Sequence, residues 1–189
     1  METQNTNKMC IVIGSWGSYN ACNERALGSS WLDLDDFTDW EEVVAELEKQ
    51  GFELDGVDEE LFIQDIEGIE CSAINWDYMS PKHLFEVIKD SGVLEYDSRY
   101  EAMQAFLEIE NFDEFMRLVD EHGENWDNGI HVYKGFDWSD YGEEMFDSLE
   151  NGSEISENLR QFIDFEAYGK HMGDYYCHEY SGGLIEIII

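Results

Sequence analysis

The sequence predicts an α+β protein, an elongated chain of three small units. Two observations carry this. Apolar spacing changes along the chain, from strand-like runs to helix-spaced stretches and back to strands. The net charge of −35 adds self-repulsion, which favours extension over packing into one sphere. The expected units are a small mixed α+β unit at 1–70, a bundle of short helices at 71–126, and a mixed α+β unit with a C-terminal hairpin at 127–189.

In the first unit, Cys10 to Ile13 is a short apolar strand. Gly14, Gly17 and Tyr19-Asn20 read as a loop, and a second strand centres on Trp31-Leu32. Thr38-Asp39-Trp40-Glu41 has the form of a capping box. The helix it opens puts Trp40, Val43, Val44 and Leu47 on one face, with Gly51 as the stop. Leu61 to Ile66 is a third strand. The middle unit begins at Ser80-Pro81, an N-cap with a first-turn proline. Leu84, Phe85, Val87 and Ile88 follow, and Gly92 ends that helix. Ser98 to Glu101 reads as another capping box, before Ala102, Ala105, Phe106 and Ile109. Asn111 opens a helix with Phe115, Leu118 and Val119 inside and Gly123 as its stop.

In the last unit, Ile130 to Lys134 is a strand. Ser139 or Asp140 caps a helix through Tyr141, Met145 and Leu149, closed by Gly152. Leu159, Phe162, Ile163 and Ala167 then fall at i, i+3, i+4 and i+8, one face of a helix. Phe165 and Tyr168 lie off that stripe, so the helix is apolar on two sides and suits a core or a partner. Gly169 is its expected left-handed stop. Tyr175 to Tyr180 and Leu184 to Ile189 form a hairpin about Ser181-Gly182-Gly183. Ile187-Ile188-Ile189 needs cover, which places that strand inside a sheet.

Charge is the unusual quantity. The chain has 45 Asp plus Glu against 10 Lys plus Arg. The acids are spread as 18, 13 and 14 over the three units, against 3, 4 and 3 bases, so an acidic tail is excluded. No Lys or Arg occurs from Gln50 to Pro81 or from Gly135 to Leu159. Dipole complementation explains one or two acids per helix but not this lack of bases. Phosphates would be repelled, so nucleic acid is not a direct partner and a cationic partner is favoured. With 43% hydrophobic residues a core is attainable and the chain is expected to be ordered. The first eight residues, METQNTNK, are polar and expected to fray. No basic-then-apolar leader and no apolar run of membrane length is present, which fits a cytoplasmic protein.

Catalytic and metal motifs do not assemble. His171, Cys177 and His178 fit no usual zinc spacing, and adjacent strand residues face opposite ways. Asp33-Leu34-Asp35-Asp36 looks like a calcium loop, yet the twelfth position from Asp33 is Val44, where a carboxylate is needed. Cys10, Cys22, Cys71 and Cys177 have no C-x-x-C spacing and are expected to be reduced. No nucleophile, base and orienter stand together, so no enzyme activity, metal or cofactor is expected.

The segment Asn158 to Gly169, NLRQFIDFEAYG, resembles the signature L-x-x-Y-I-D-Y-x-A-Y-G of the ArdA antirestriction proteins, with Phe162 and Phe165 in place of its first two tyrosines. Gly14-Ser15-Trp16, Tyr19-Asn20-Ala21 and Ser30-Trp31-Leu32-Asp33 resemble the family's Y-N and G-x-W-[IL]-D pattern, and Phe62-Ile63-Gln64-Asp65 is a weaker match. The family's proline before the signature is absent, since Pro81 is the chain's single proline. The resemblance implies a DNA mimic that occupies the DNA-binding groove of type I restriction-modification enzymes and blocks restriction and modification. It also implies a homodimer, formed through the C-terminal unit.

Carboxylates spaced like phosphates would serve that role, because phosphate contacts carry no base sequence. The candidate mimic surface is Asp33, Asp35, Asp36, Asp39, Glu41, Glu42, Glu59, Glu60, Asp113, Glu114, Asp137, Asp140, Glu143, Glu144, Glu154 and Glu157. Phe162, Phe165 and Tyr168 are candidates for the core or the dimer interface. The residues also allow a mimic aimed at another cationic DNA-binding protein, a halophilic protein acidic for hydration alone, and an unrecognised hydrolase. Halophilic solvation predicts unfolding at low salt.

Overall fold

The computed structural model of the chain describes residues 8–69, 71, 76–149 and 155–189. Two compact units divide at Trp126 and Asp127. Each holds one three-stranded antiparallel sheet. The fold class is α+β, as the changing hydrophobic spacing predicts.

The first unit takes in both the stretch 1–70 and the helical stretch 71–126. Its sheet has strand order β2-β1-β3, with β1 at Cys10–Ser15, β2 at Leu32–Asp33 and β3 at Leu61–Glu67. Central β1 is buried from Ile11 through Ser15, so both its faces are covered, and it reads as an unbroken apolar run. A bulge between Val12 and Ile13 shifts its register on β3. The stretch expected as a loop at Gly14 to Asn20 is instead helical: α1 spans Trp16–Ala21 and is capped by the Ser15 hydroxyl. Gly17 is required there, since a Cβ would run into the Val57 carbonyl.

Helix α2 is Trp40–Lys49, and its cap lies one residue later than the sequence suggests. Asp39 accepts from the Glu42 amide at 3.0 Å while the Glu42 carboxylate reaches back to the Thr38 amide at 2.7 Å. A carboxylate at Asp39 is a stronger acceptor for the helix end than the Thr38 hydroxyl. Then come α3 (Pro81–Ser91), α4 (Asp97–Ile109) and α5 (Phe112–His122). Ser80 and Asn111 cap α3 and α5 as expected, but α4 starts after Tyr96 without a side-chain cap, not at a Ser98 box. The helices bury Phe85, Phe106, Phe112, Phe115 and Trp126. They also meet the sheet region: Tyr100 and Gln104 of α4 donate to the Gly68 carbonyl, and the rings of Trp40 and Phe85 lie 6.0 Å apart.

The second unit has strand order β4-β6-β5, from Ile130–Lys134, Gly183–Ile187 and Cys177–Tyr180. The β6 strand is central, as expected, but the expected cover does not extend to the end of the isoleucine run: Ile188 and Ile189 lie beyond the strand and are exposed. Helix α6 is Trp138–Asp147, capped by Asp137 in a reciprocal box with Asp140, upstream of the Ser139 or Asp140 start read from sequence. The expected stop at Gly152 lies outside the described residues.

The signature segment is not one helix. A short α7 (Glu157–Arg160) ends in a turn, and Asp164 then caps α8 (Phe165–Met172). An aspartate free to accept from the Ala167 amide starts a new helix in place of continuing the old one. Gly169 is therefore inside α8 rather than at a left-handed stop. A Cβ there would strike the Trp138 carbonyl, and one at Gly142 would strike that of Phe165. Helices α6 and α8 thus cross in backbone contact at Gly142 and Gly169.

Candidate functional site

The candidate acids stand mostly on helix starts and the loops before them, and most are exposed. Asp35, Asp36, Asp39, Glu41, Glu42, Glu59, Glu60, Asp113, Asp137, Asp140, Glu143 and Glu144 are exposed, and Asp33 and Glu114 half-buried. Glu154 lies outside the described residues, and the Glu157 side chain is not among those described. Several of these groups are also fixed. Asp39, Glu42, Asp137 and Asp140 each accept a backbone N–H at a helix start, which holds the carboxylate in place while it faces water. The same unpaired donors that attract a cap explain why acids collect at these points.

The positive charges are engaged close to home. Lys8 pairs with Asp33 at 3.2 Å, Lys49 with Glu46 at 3.1 Å, Lys82 with Glu86 at 3.5 Å and Lys170 with Glu166 at 2.6 Å. Arg117 bridges Glu114 and Glu121 along one face of α5. Lys89 lies over the Phe85 ring and Arg99 over that of Tyr96. Hydrogen bonds from Lys49, Arg117 and Arg160 hold Glu46, Glu114 and Asp147 below the ordinary carboxylate range. Such exposed pairs are screened by solvent and contribute little to stability. Their larger effect is on the surface, where these cations are already occupied beside the exposed candidate acids.

Two buried carboxylates were not among the sequence candidates. Asp58 accepts from the Ser18 hydroxyl, from the Glu53 amide at 2.8 Å and from Arg25 Nε at 2.9 Å. Burial pushes its pKa up, but the Ser18, Glu53 and Ser15 hydrogen bonds and the Arg25 charge outweigh this and hold it low. Glu186, the fourth of the five residues of β6, accepts from the Tyr141 hydroxyl and from that of Tyr133 at 3.2 Å. Burial, then the Glu186 charge, pushes the neighbouring Cys177 thiol up to about 11, so it is a weak nucleophile. Glu186 had a signal, a lone acid in the apolar run Leu184 to Ile189; Asp58 had none, since it sits among exposed acids in GVDEEL. All four cysteines are free. Among the described residues, no three His, Cys, Asp or Glu side chains are grouped to hold a metal ion, and no helix is long and apolar enough to cross a membrane.

Comparison with protein-family models matches residues 11–186 to the family described as Antirestriction protein (ArdA). The chain belongs to the ArdA family of antirestriction proteins. Comparison with curated proteins finds no match. As an ArdA antirestriction protein it is directed at restriction-modification enzymes, and members of this family act as inhibitors rather than enzymes.

The ArdA-like signature now has a physical reading. Asp164 caps α8, Phe165 and Tyr168 set their rings edge-on to Phe146 of α6 at 5.6 and 5.9 Å, and Gly169 permits the helix crossing. Phe165 and Tyr168 are half-buried within their own unit. Phe162 is not: it is 80% exposed, beside Leu159 at 60%. In the N-terminal match, Ser15 caps α1 and Trp16 stacks on Phe62 at 4.2 Å.

Proposed function

We propose that the chain is a DNA mimic that occupies the DNA-binding groove of a type I restriction-modification enzyme and blocks both restriction and modification. The observation that supports this best is the arrangement of charge: exposed carboxylates pinned at helix starts, with the cations occupied by local partners. Double-stranded DNA presents one negative charge per about 1.7 Å, and proteins hold it largely through Lys and Arg with release of counterions. Carboxylates in a fixed array gain the same term. Base edges are unnecessary, so inhibition extends across enzymes of different sequence specificity.

The working form is a homodimer joined through the C-terminal unit. Leu159 and Phe162 supply exposed apolar area there, and Phe165 and Tyr168 extend it inward toward α6. Exposed aromatics in contact with further apolar surface suit an interface better than solvent. Large rings of this kind are also the usual anchors of association.

The test uses a purified type I enzyme, assayed for cleavage and for methylation with competing DNA over a range of salt. Competitive inhibition of both activities, weakening as salt rises, is expected. Inhibition that added DNA does not relieve overturns the mimic. Inhibition of an unrelated cationic DNA-binding protein at equal potency overturns the type I assignment.

A further inference from the structure

One cation ties the signature segment to its unit. Arg160 is 14% exposed at its side chain and follows a stretch of twenty-five residues, 135–159, that contains no Lys or Arg. It ion-pairs with Asp147 and, through Nη2, with Glu143 at 2.7 Å, both on α6. Its guanidinium also stands 5.6 Å from the centre of the Phe146 ring and 5.4 Å from that of Phe165. It therefore touches α6 and α8 from α7, as a planar fork between two rings.

Among the described residues, no other side chain ties the segment to α6 or α8 by an ion pair. Among the described residues, the other hydrogen bonds of 155–163 close within it: Leu159 and Arg160 to Ser156, Phe162 to Leu159, Ile163 to Arg160, and Gln161 to Asn158. Ile155 and Ile163 are half-buried and add some apolar cover. Glu143 and Asp147 are four residues apart on α6, a like-charge pair that destabilises a helix unless a cation bridges it.

We propose that Arg160 is a positioning residue. It fixes the segment 155–164 on α6 and so sets Leu159 and Phe162 outward in one defined array. This rests on the reading of that array as the face by which the protein assembles and inhibits. Charge alone predicts the opposite sign from positioning. Arg160→Gln makes the protein more negative by one, which for a purely electrostatic decoy leaves inhibition equal or stronger. Loss of the tether weakens it.

The experiment measures hydrogen exchange, mass and inhibition on the full chain. In Arg160→Gln, the amides of 159–163 are expected to exchange at least about tenfold faster while those of β4 and β6 keep their protection, since a bidentate charged pair is lost. Self-association and inhibition are expected to weaken about five- to tenfold. Arg160→Lys keeps the charge but not the fork or the stacking, and is expected to restore less than half of the lost protection. If Arg160→Gln unfolds the whole unit, the double variant Glu143→Gln with Asp147→Asn decides, because it leaves Arg160 and both rings in place. It is expected to show the same local loss. Unchanged protection of 159–163 in both variants, or full rescue by Arg160→Lys, overturns the proposal. If the wild-type protein fails to inhibit a type I enzyme, the functional reading falls, while the exchange measurements still decide the role of Arg160.

Discussion

Asp58 is fully buried and keeps its charge because four neighbours stabilise the carboxylate. Asparagine keeps one acceptor oxygen but puts an NH2 group where the other carboxylate oxygen accepts from Ser18, or from Arg25 and Glu53, and it removes the charge opposite Arg25. Asp58→Asn is expected to cost about 2–3 kcal/mol at pH 7, read from urea unfolding. The pH dependence has a definite sign. The folded-state pKa lies below the ordinary value of 3.8, so the stabilisation is present at neutral pH and above. It is lost as pH falls through the folded value. The gap between wild type and Asp58→Asn should therefore close below about pH 4. A constant gap from pH 7 to pH 2.5 would show that the charge of Asp58 is not what holds this network.

At the scale of elements, the crossing of α6 and α8 decides the architecture of the second unit. Glycine inside a helix is normally a weakness, and Gly→Ala there stabilises by up to about 1 kcal/mol. At Gly169 the sign should reverse, because a methyl group meets the Trp138 backbone. Gly169→Ala is expected to destabilise by about 3 kcal/mol or more, and Gly142→Ala similarly. A gain in melting temperature for either would mean that the helices do not touch there. This contact also marks the limit of sequence reading. The strands Ile130–Lys134 and Leu61–Glu67 and the helices after Ser80 and Asn111 were legible, because hydrophobic period and caps are local signals. The signature reads as one helix in the sequence because its apolar spacing continues through Asp164, and spacing alone does not register a new cap. Gly169 looked like a terminator because a glycine that stops a helix and one that lets another helix approach leave the same letter. The exposed acids of the candidate surface were legible as a class, since charge density is a property of composition. Their anchoring was partly legible from the helix starts. Arg160 was not, because its partners Glu143 and Asp147 lie on a different helix.

At the scale of the whole molecule, net charge sets both the reach of the proposed mimic and its tolerance of mutation. The chain carries −35, so a dimer carries −70. At about 1.7 Å per charge, that matches roughly 120 Å of duplex, or about 35 base pairs. On the proposed reading, charge on this scale suits a large multisubunit enzyme better than a simple nuclease. Each exposed carboxylate stands in high dielectric and contributes little alone. Neutralising one, such as Glu42→Gln or Asp140→Asn, should reduce inhibition less than about twofold if the helix cap survives. Neutralising six to eight that include Asp35, Asp36, Glu41, Glu59 and Glu60 should weaken inhibition progressively. It should also flatten the salt dependence, because fewer counterions are exchanged at the enzyme's groove. Titration of such a series against a type I enzyme, with competing DNA and salt varied together, yields both slopes. Abolition of inhibition by one isolated substitution, in a protein that stays folded and keeps its mass, would mean that a single local contact carries the function and that charge spread over the surface does not.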